Sequence, residues 1–334
     1  MKLAIVLFNL GGPDSLAAVE PFLRNLFSDP AVITLPGLLR KPIAKLIAHR
    51  RGPIAREIYA KIGGASPIVA ETEAQAAALA QALGSHETRC FVAMRHWKPF
   101  TEDAARAVAA FDPDQIVLLP LYPQFSTTTT GSSLAEWTRV ARIAGITAPT
   151  TSICCYPQLP GFIAAVTDLV RTAFAKAKPE ISYRLLLSAH GLPKKVIAKG
   201  DPYQWQVEQT AAAIIAKLGV PDWTVCYQSR VGPLEWIGPA TDAEIRRAGA
   251  EGKGVVIAPV AFVSEHSETL VELDIEYNRL AHQAGVADYI RVPTVSVHPD
   301  FIAGLAGLVA QAIAGQTQKR GCPENWTGCV CRYG

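Results

Sequence analysis

Two kinds of apolar pattern take turns along this chain. Short, nearly unbroken runs rich in Val, Ile and Leu occur at Leu3 to Phe8, Cys90 to Met94, Gln115 to Leu119, Thr151 to Tyr156, Arg184 to Ser188, Thr224 to Tyr227, Val255 to Ala258 and Tyr289 to Val292. Such runs suit strands covered on both faces. Between them, apolar residues recur at helical spacing in Glu71 to Leu83, Thr101 to Phe111, Leu134 to Ala144, Phe162 to Ala177, Gln204 to Leu218, Thr241 to Ala250, Glu268 to Ala284 and Pro299 to Ala314. Strand and helix in alternation argue for parallel sheets flanked by helices. Eight strands suit one sheet, a barrel or two sheets of four. The two arms share one rhythm, which favours two similar doubly wound α/β domains, each with a four-stranded parallel sheet. The expected domains are 1–148 with 299–334, and 149–298, the crossing lying at Ala148-Pro149-Thr150.

Polar residues gather where the apolar runs end. After Val255 to Ala258 comes a helical stretch in which Glu268, Glu272 and Glu276 fall at i, i+4 and i+8, with His266 at its first turn. A regular helix stacks those carboxylates on one stripe. From Ser264 to Asn278 there are five acidic residues and no Lys or Arg. A charge run is ordinarily a solvated face. Yet ligands of open α/β sheets bind beyond the carboxyl ends of strands, and imidazole with carboxylates suits a divalent ion such as Fe(II), or proton handling. Arg95-His96-Trp97, Tyr122 to Ser126 and Ser188-Ala189-His190 end other strands. One such His is ordinarily structural; three, at His96, His190 and His266, fit a single crevice.

The composition narrows the class. At 334 residues, 49% hydrophobic and 18% charged, the chain can bury a large core, and a net charge of +3 without a basic aromatic stripe excludes nucleic acid as partner. The apolar start ends at Phe8, too short for a signal peptide, and no apolar run is long enough to span a bilayer. Seven cysteines in that context point to a reducing, cytoplasmic compartment. Residues 36–58 carry six Lys or Arg against Glu57, interleaved with Leu38, Leu39, Ile43, Leu46 and Ile47. This segment either lies at a bilayer interface or covers a core. Gly37, Pro42 and Pro53 predict a broken, mobile lip, not one long helix. At the C-terminus Cys322, Cys329 and Cys331 form C-x6-C-x-C, a candidate metal site whose fourth thiolate is available from Cys154 or Cys155. These two are adjacent on an expected strand, so only one can face the tail. Cys90 and Cys226 lie inside strand patterns as small hydrophobes.

Taken in order, Phe8-Asn-Leu-Gly-Gly-Pro-Asp14, Ile62-Gly-Gly-Ala-Ser-Pro-Ile68, Leu121-Tyr-Pro-Gln-Phe-Ser126, Ser188-Ala-His-Gly-Leu-Pro193, Gln228-Ser-Arg-Val-Gly-Pro233 with Trp236, and Ser264-Glu-His-Ser-Glu-Thr-Leu270 with Glu272 to Tyr277 resemble the ferrochelatases over nearly the whole chain. The resemblance implies the chelatase fold of two Rossmann-like domains around a porphyrin cleft. It implies a lyase that inserts Fe(II) into protoporphyrin IX, giving protohaem and two protons, the last step of haem synthesis. His190 is similar to the family's active-site His, as proton acceptor or metal ligand, and Glu268 to its partner carboxylate. Glu272 and Glu276 match an acidic line for metal or protons along a π-helical stretch. Leu10, Arg95, His96, Tyr122, Ser126, Trp236 and His266 fall among residues that line the porphyrin pocket. Residues 36–58 match a lip through which porphyrin enters from the inner membrane, implying a peripheral membrane contact by a monomer or homodimer. A 2Fe-2S cluster on Cys322, Cys329, Cys331 and Cys154 or Cys155 is also implied. The chain departs from animal members at Thr127, where they carry a cluster cysteine, and at His96, where they carry Tyr. Rival readings are a chelatase for coproporphyrin III, one placing cobalt in a corrin precursor, and a non-catalytic metal-binding protein of the same fold.

Overall fold

The computed structural model describes residues 1–84, 87–230, 232, 234–316 and 322–323. All eight expected strands form, in two separate four-stranded parallel sheets. Residue contacts divide the chain into one unit of Met1–Cys155 with 305–316, and a second of Tyr156–Gly304 with Cys322 and Pro323.

In the first unit the elements run β1 (Leu3–Asn9), α1 (Val19–Ser28), α2 (Gly37–Ala60), α3 (Ile68–Leu83), β2 (Thr88–Met94), α4 (Thr101–Phe111), β3 (Gln115–Pro120), α5 (Thr130–Ile143) and β4 (Thr150–Ser152). The sheet order is β2-β1-β3-β4. Every residue of the central strand β1 is buried, which is why its sequence reads as one apolar run without alternation. Helices α4 and α5 cover one face, where Phe8 meets Trp137 edge-on at 6.0 Å.

The second unit repeats this plan with α6 (Pro160–Phe174), β5 (Tyr183–His190), α7 (Lys194–Ala198), α8 (Tyr203–Leu218), β6 (Trp223–Gln228), α9 (Thr241–Ala250), β7 (Gly254–Pro259), a π-helix (Glu268–Tyr277), α10 (Asn278–Gln283) and β8 (Tyr289–Arg291). Its sheet order is β6-β5-β7-β8. Even the register repeats: Phe8 of β1 pairs with Pro120 and Ser188 of β5 with Pro259, so in both units the third strand stops on a proline. A final helix, α11 (Pro299–Ile313), begins in the second unit and ends in the first.

Two local expectations are corrected, and a third, the stripe drawn on a regular helix, gives way to the π-helical stretch that the resemblance implies. The segment at 37–60 is one continuous helix through Pro42 and Pro53. Each proline forfeits a backbone hydrogen bond, at a cost of about 3 kcal/mol. Both lie on the exposed side, where water meets the freed carbonyls. The opposite face buries Ala48 and Tyr59 against Val19, Phe22 and Leu23 of α1, and burying large side chains at about 1.5–3 kcal/mol each outweighs the loss. Strand β4 stops at Ser152, so Cys154 and Cys155 lie beyond it; Ile153 through Tyr156 are all buried, and the two cysteines do not divide between a covered and an open face. The helix from Glu268 is a π-helix to Tyr277 and α-helical only from Asn278. Its wider turns change the stripe drawn for Glu268, Glu272 and Glu276 on a regular helix.

Candidate active site

The second unit gathers a polar cluster at the carboxyl ends of β5 and β6 and the start of the π-helix. His190 is the last residue of β5. Its Nδ1 lies 2.6 Å from the carbonyl oxygen of Gly191. A carbonyl only accepts, so Nδ1 carries the hydrogen and Nε2 is the variable nitrogen. That Nε2 stands 3.5 Å from Oε1 of Glu268. His266 mirrors it: Nδ1 is 3.1 Å from the Ser264 carbonyl, and Nε2 is 3.5 Å from Oε2 of the same Glu268. One carboxylate therefore faces two imidazoles, one on each oxygen.

The electrostatics follow from burial and partners. Burial alone would raise Glu268, but the charges of His190 and His266 outweigh it and hold the carboxyl down at about 2. Burial would likewise lower His266, yet Glu268 raises it above its ordinary value. His266 and Glu268 thus favour each other's charged forms, and His190 presents its Nε2 to the same carboxylate.

Glu272, one step along the π-helix, is pushed the other way, raised by burial and by the charge of Glu268. It is held on both oxygens. Oε1 accepts from the Ser229 backbone N–H and the Tyr277 hydroxyl, each at 2.9 Å, and Oε2 from Gln228 Nε2 at 3.1 Å and the Ser229 hydroxyl. Ser229 has a positive φ of 61°, an unusual backbone for a non-glycine residue, and its N–H points at Glu272. Gln228 also donates to the Glu268 carbonyl at 3.1 Å and accepts from Ser188 at 2.8 Å. Two neighbouring carboxyls whose environments push their pKa values apart suit separate acid and base roles. Glu276 is half-buried four residues further on.

Trp236 is brought to the same loop by a backbone bridge to Pro193. A Cβ on Gly191 would fall 2.9 Å from the Gln228 carbonyl oxygen and 3.3 Å from the Trp236 ring, so only glycine fits beside His190.

The pocket candidates of the first unit form a second group. Arg95 contacts Asp29 at 3.0 Å and donates to Ser132 at 2.7 Å, and Ser132 donates to Asp29. His96 is 1% exposed; burial, helped by Arg95 against the pull of Asp29, pushes its imidazole down to about 3. It is a neutral buried ring, its Nε2 3.8 Å from Asp29 and its backbone carbonyl accepting from Asn25 at 3.1 Å. Tyr122 belongs to the buried core with Leu10 packed against it. Ser126 is buried and shares a hydrogen bond with Thr128 at 2.9 Å. Arg95, Asp29, Thr127, Ser132 and Arg139 help line an open cavity of about 600 Å³.

Reasoning from sequence brought in His190, His266, Glu268 and Glu272 but missed the roles of Gln228, Ser229, Tyr277, Asp29 and Ser132. Gln228 and Ser229 had one readable signal, their place at the end of an apolar run. Asp29 had none. Of the cysteine ligands, Cys322 is buried and its Sγ accepts from Gln206 Nε2 at 3.4 Å; Cys329 and Cys331 lie outside the described residues. Among the described residues no group of three or more His, Cys, Asp or Glu is arranged to hold a metal ion, and no helix is long and apolar enough to cross a membrane.

Two parallel sheets with a His and carboxylate cluster at the strand ends define a chelatase-type protein. The fold is similar to that of SirB, a sirohydrochlorin chelatase of Bacillus subtilis, solved with Fe3+ (TM-score 0.54, 13% identity, covering 94% of this chain and 97% of that one) and with cobalt (TM-score 0.53). The ferrochelatase family model matches residues 2–313. Proteins named ferrochelatase are 55% identical in Caulobacter vibrioides (100% of this chain, 98% of that protein), 47% in Pelagibacter ubique (99% and 99%) and 44% in Rickettsia bellii (99% and 95%). The chain belongs to the ferrochelatase family. It is a metal chelatase of the lyase class in haem biosynthesis, with a porphyrin and ferrous iron as substrates.

Proposed function

We propose that this chain inserts Fe(II) into protoporphyrin IX, with His190 as the group that accepts pyrrole protons. The observation that carries the assignment is the Glu268 carboxylate facing Nε2 of both His190 and His266 at 3.5 Å. Insertion requires that two N–H protons leave the ring and that the iron shed water. A neutral His190 has its Nε2 lone pair free, and the imidazolium formed on taking a proton is stabilised by Glu268. Glu268 also faces His266, so one carboxylate serves both imidazoles while the proton is passed on. Glu272, raised and held by Gln228, Ser229 and Tyr277, is suited to receive it. Glu268 and Glu276 offer oxygen ligands that replace water on Fe(II) without the grip of thiolates. Trp236, Leu10, Arg95, His96, Tyr122 and Ser126 are proposed to contact the macrocycle.

The exposed part of α2 supports a peripheral membrane contact. Leu38 is 91% exposed, and Leu39, Leu46 and Ile54 are exposed beside Lys41, Lys45 and Arg50, the pairing of apolar and basic groups that an anionic lipid surface attracts. Cys322, Cys329 and Cys331, with Cys154 or Cys155, are proposed to hold a 2Fe-2S cluster; the N–H of Gln206 on the Cys322 sulfur is the kind of hydrogen bond that cluster thiolates receive.

The test is anaerobic incubation with Fe(II) and either protoporphyrin IX or coproporphyrin III, followed by the Soret band. Metallation of the first is expected and of the second alone would reassign the substrate. His190→Ala should still bind porphyrin but not metallate it, and normal turnover by that variant would overturn the role given to His190.

A further inference from the structure

A π-helix is a rare register, and ten residues of it from Glu268 to Tyr277 need support from outside the helix. Strand β8 supplies it. Tyr289 and Arg291 are two apart on this edge strand and so share a face. The Tyr289 hydroxyl donates to the Leu273 carbonyl at 2.7 Å. Arg291 forks onto Asp274, with Nε to Oδ1 at 2.7 Å and Nη2 to Oδ2 at 2.6 Å. Its remaining nitrogen, Nη1, donates to Oε1 of Glu265 at 2.6 Å, an oxygen that also accepts the Thr294 N–H at 2.9 Å. Glu265 immediately precedes His266. One guanidinium, 14% exposed, therefore ties down the chain on both sides of Glu268.

Glu268 lies between two pinned points, and its distances of 3.5 Å to His190 and to His266 depend on where those points are. Further support comes from the start of the helix, where the His266 N–H bonds Thr269 Oγ1 at 3.0 Å. A planar guanidinium sets two parallel N–H bonds on one carboxylate and keeps a third nitrogen for another; an ammonium can bridge two carboxylates but lacks that parallel pair.

We infer that Arg291 is a positioning residue for metal insertion, fixing the π-helical register and the Glu268–His190–His266 spacing by clamping Asp274 and Glu265. This rests on the assignment of His190 and Glu268 to the reaction.

The test compares Arg291→Met, Arg291→Lys, Asp274→Asn and His190→Ala under anaerobic steady-state conditions, varying Fe(II) and porphyrin separately. Arg291→Met should lower kcat/KM for Fe(II) by about 10- to 100-fold, the range found when a residue supporting a metal-handling group is lost, while KM for porphyrin stays unchanged. Asp274→Asn should move the same constants less far, and Arg291→Lys should recover part of the loss. A role in stability alone would lower the melting temperature and the folded fraction while leaving both KM values and kcat per folded molecule at wild-type levels; that result overturns the inference. If Arg291→Met does not fold, Asp274→Asn decides, and wild-type constants there overturn it. Turnover by His190→Ala would remove the assignment underneath, whereas an inactive His190→Ala beside unaltered clamp variants would overturn the clamp alone.

Discussion

Glu268 and Glu251 are both held at about 2, against an ordinary value of 4.5, by different neighbours. Glu251 owes it to hydrogen bonds from Arg184 and Lys253 at the amino end of the second sheet, the end opposite His190. A depressed carboxylate is therefore no mark of a site by itself. Glu268 differs because its partners are imidazoles, side chains suited to taking up and releasing protons, whereas Arg184 and Lys253 are fixed cations. The Glu251 carboxylate takes up its proton near 4.5 in the unfolded chain and near 2 when folded, so the stability it adds is complete above 4.5 and is lost as pH falls toward 2. Glu251→Gln should flatten the decline of Tm in melts stepped from pH 4.5 to pH 2. An unchanged decline would mean that Arg184 needs only Asp222, its other partner at 2.7 Å. His190 was legible because it ends an apolar run, and His266 and Glu268 because they follow another in a stretch, Ser264 to Asn278, without Lys or Arg. Gln228 and Ser229 showed only their place at the end of an apolar run, since their role depends on Glu272, more than forty residues away.

Pattern and packing part company at two elements. In α2, two prolines argued for a break, but a proline's cost is local and fixed while the gain from packing on α1 is set by residues far outside the segment. The same helix leaves Leu38, Leu39 and Leu46 outside that packing, and they are the natural place to test the membrane contact. Replacing all three with Ser should weaken binding to anionic vesicles by at least about tenfold, since each Leu is worth roughly 1.5–3 kcal/mol when buried. KM for porphyrin should rise and KM for Fe(II) should not. Vesicle binding equal to wild type would return α2 to an ordinary surface helix. In the π-helix the periodicity correctly marked an amphipathic helical segment, while the wider register could not be read from spacing. Leu273 is buried in the core of the second unit, and its carbonyl is met by Tyr289 from β8, a non-local contact that periodicity does not carry.

For the molecule as a whole, the cluster proposal is open to a direct measurement. Protein purified anaerobically should be reddish-brown, with the charge-transfer bands of a 2Fe-2S centre, and one of Cys154→Ser and Cys155→Ser, not both, should bleach it. Protein without iron and labile sulfide, or colour kept in both variants, would remove the cluster while leaving His190 and Glu268 untouched. The strand rule that was to choose between these cysteines does not apply, because β4 ends before them. By itself the sequence determined the eight strands, most of the helices between them though not α1 or α7, the parallel pairing and the placing of polar residues at strand ends, since local apolar periodicity and short connections dictate these. Only the tertiary structure decided that Glu268 stays charged while Glu272 is raised, that α2 runs unbroken, and that Arg291 grips the π-helix. Each of those depends on desolvation and on hydrogen-bond partners from other elements, and chain spacing carries no record of which partner arrives.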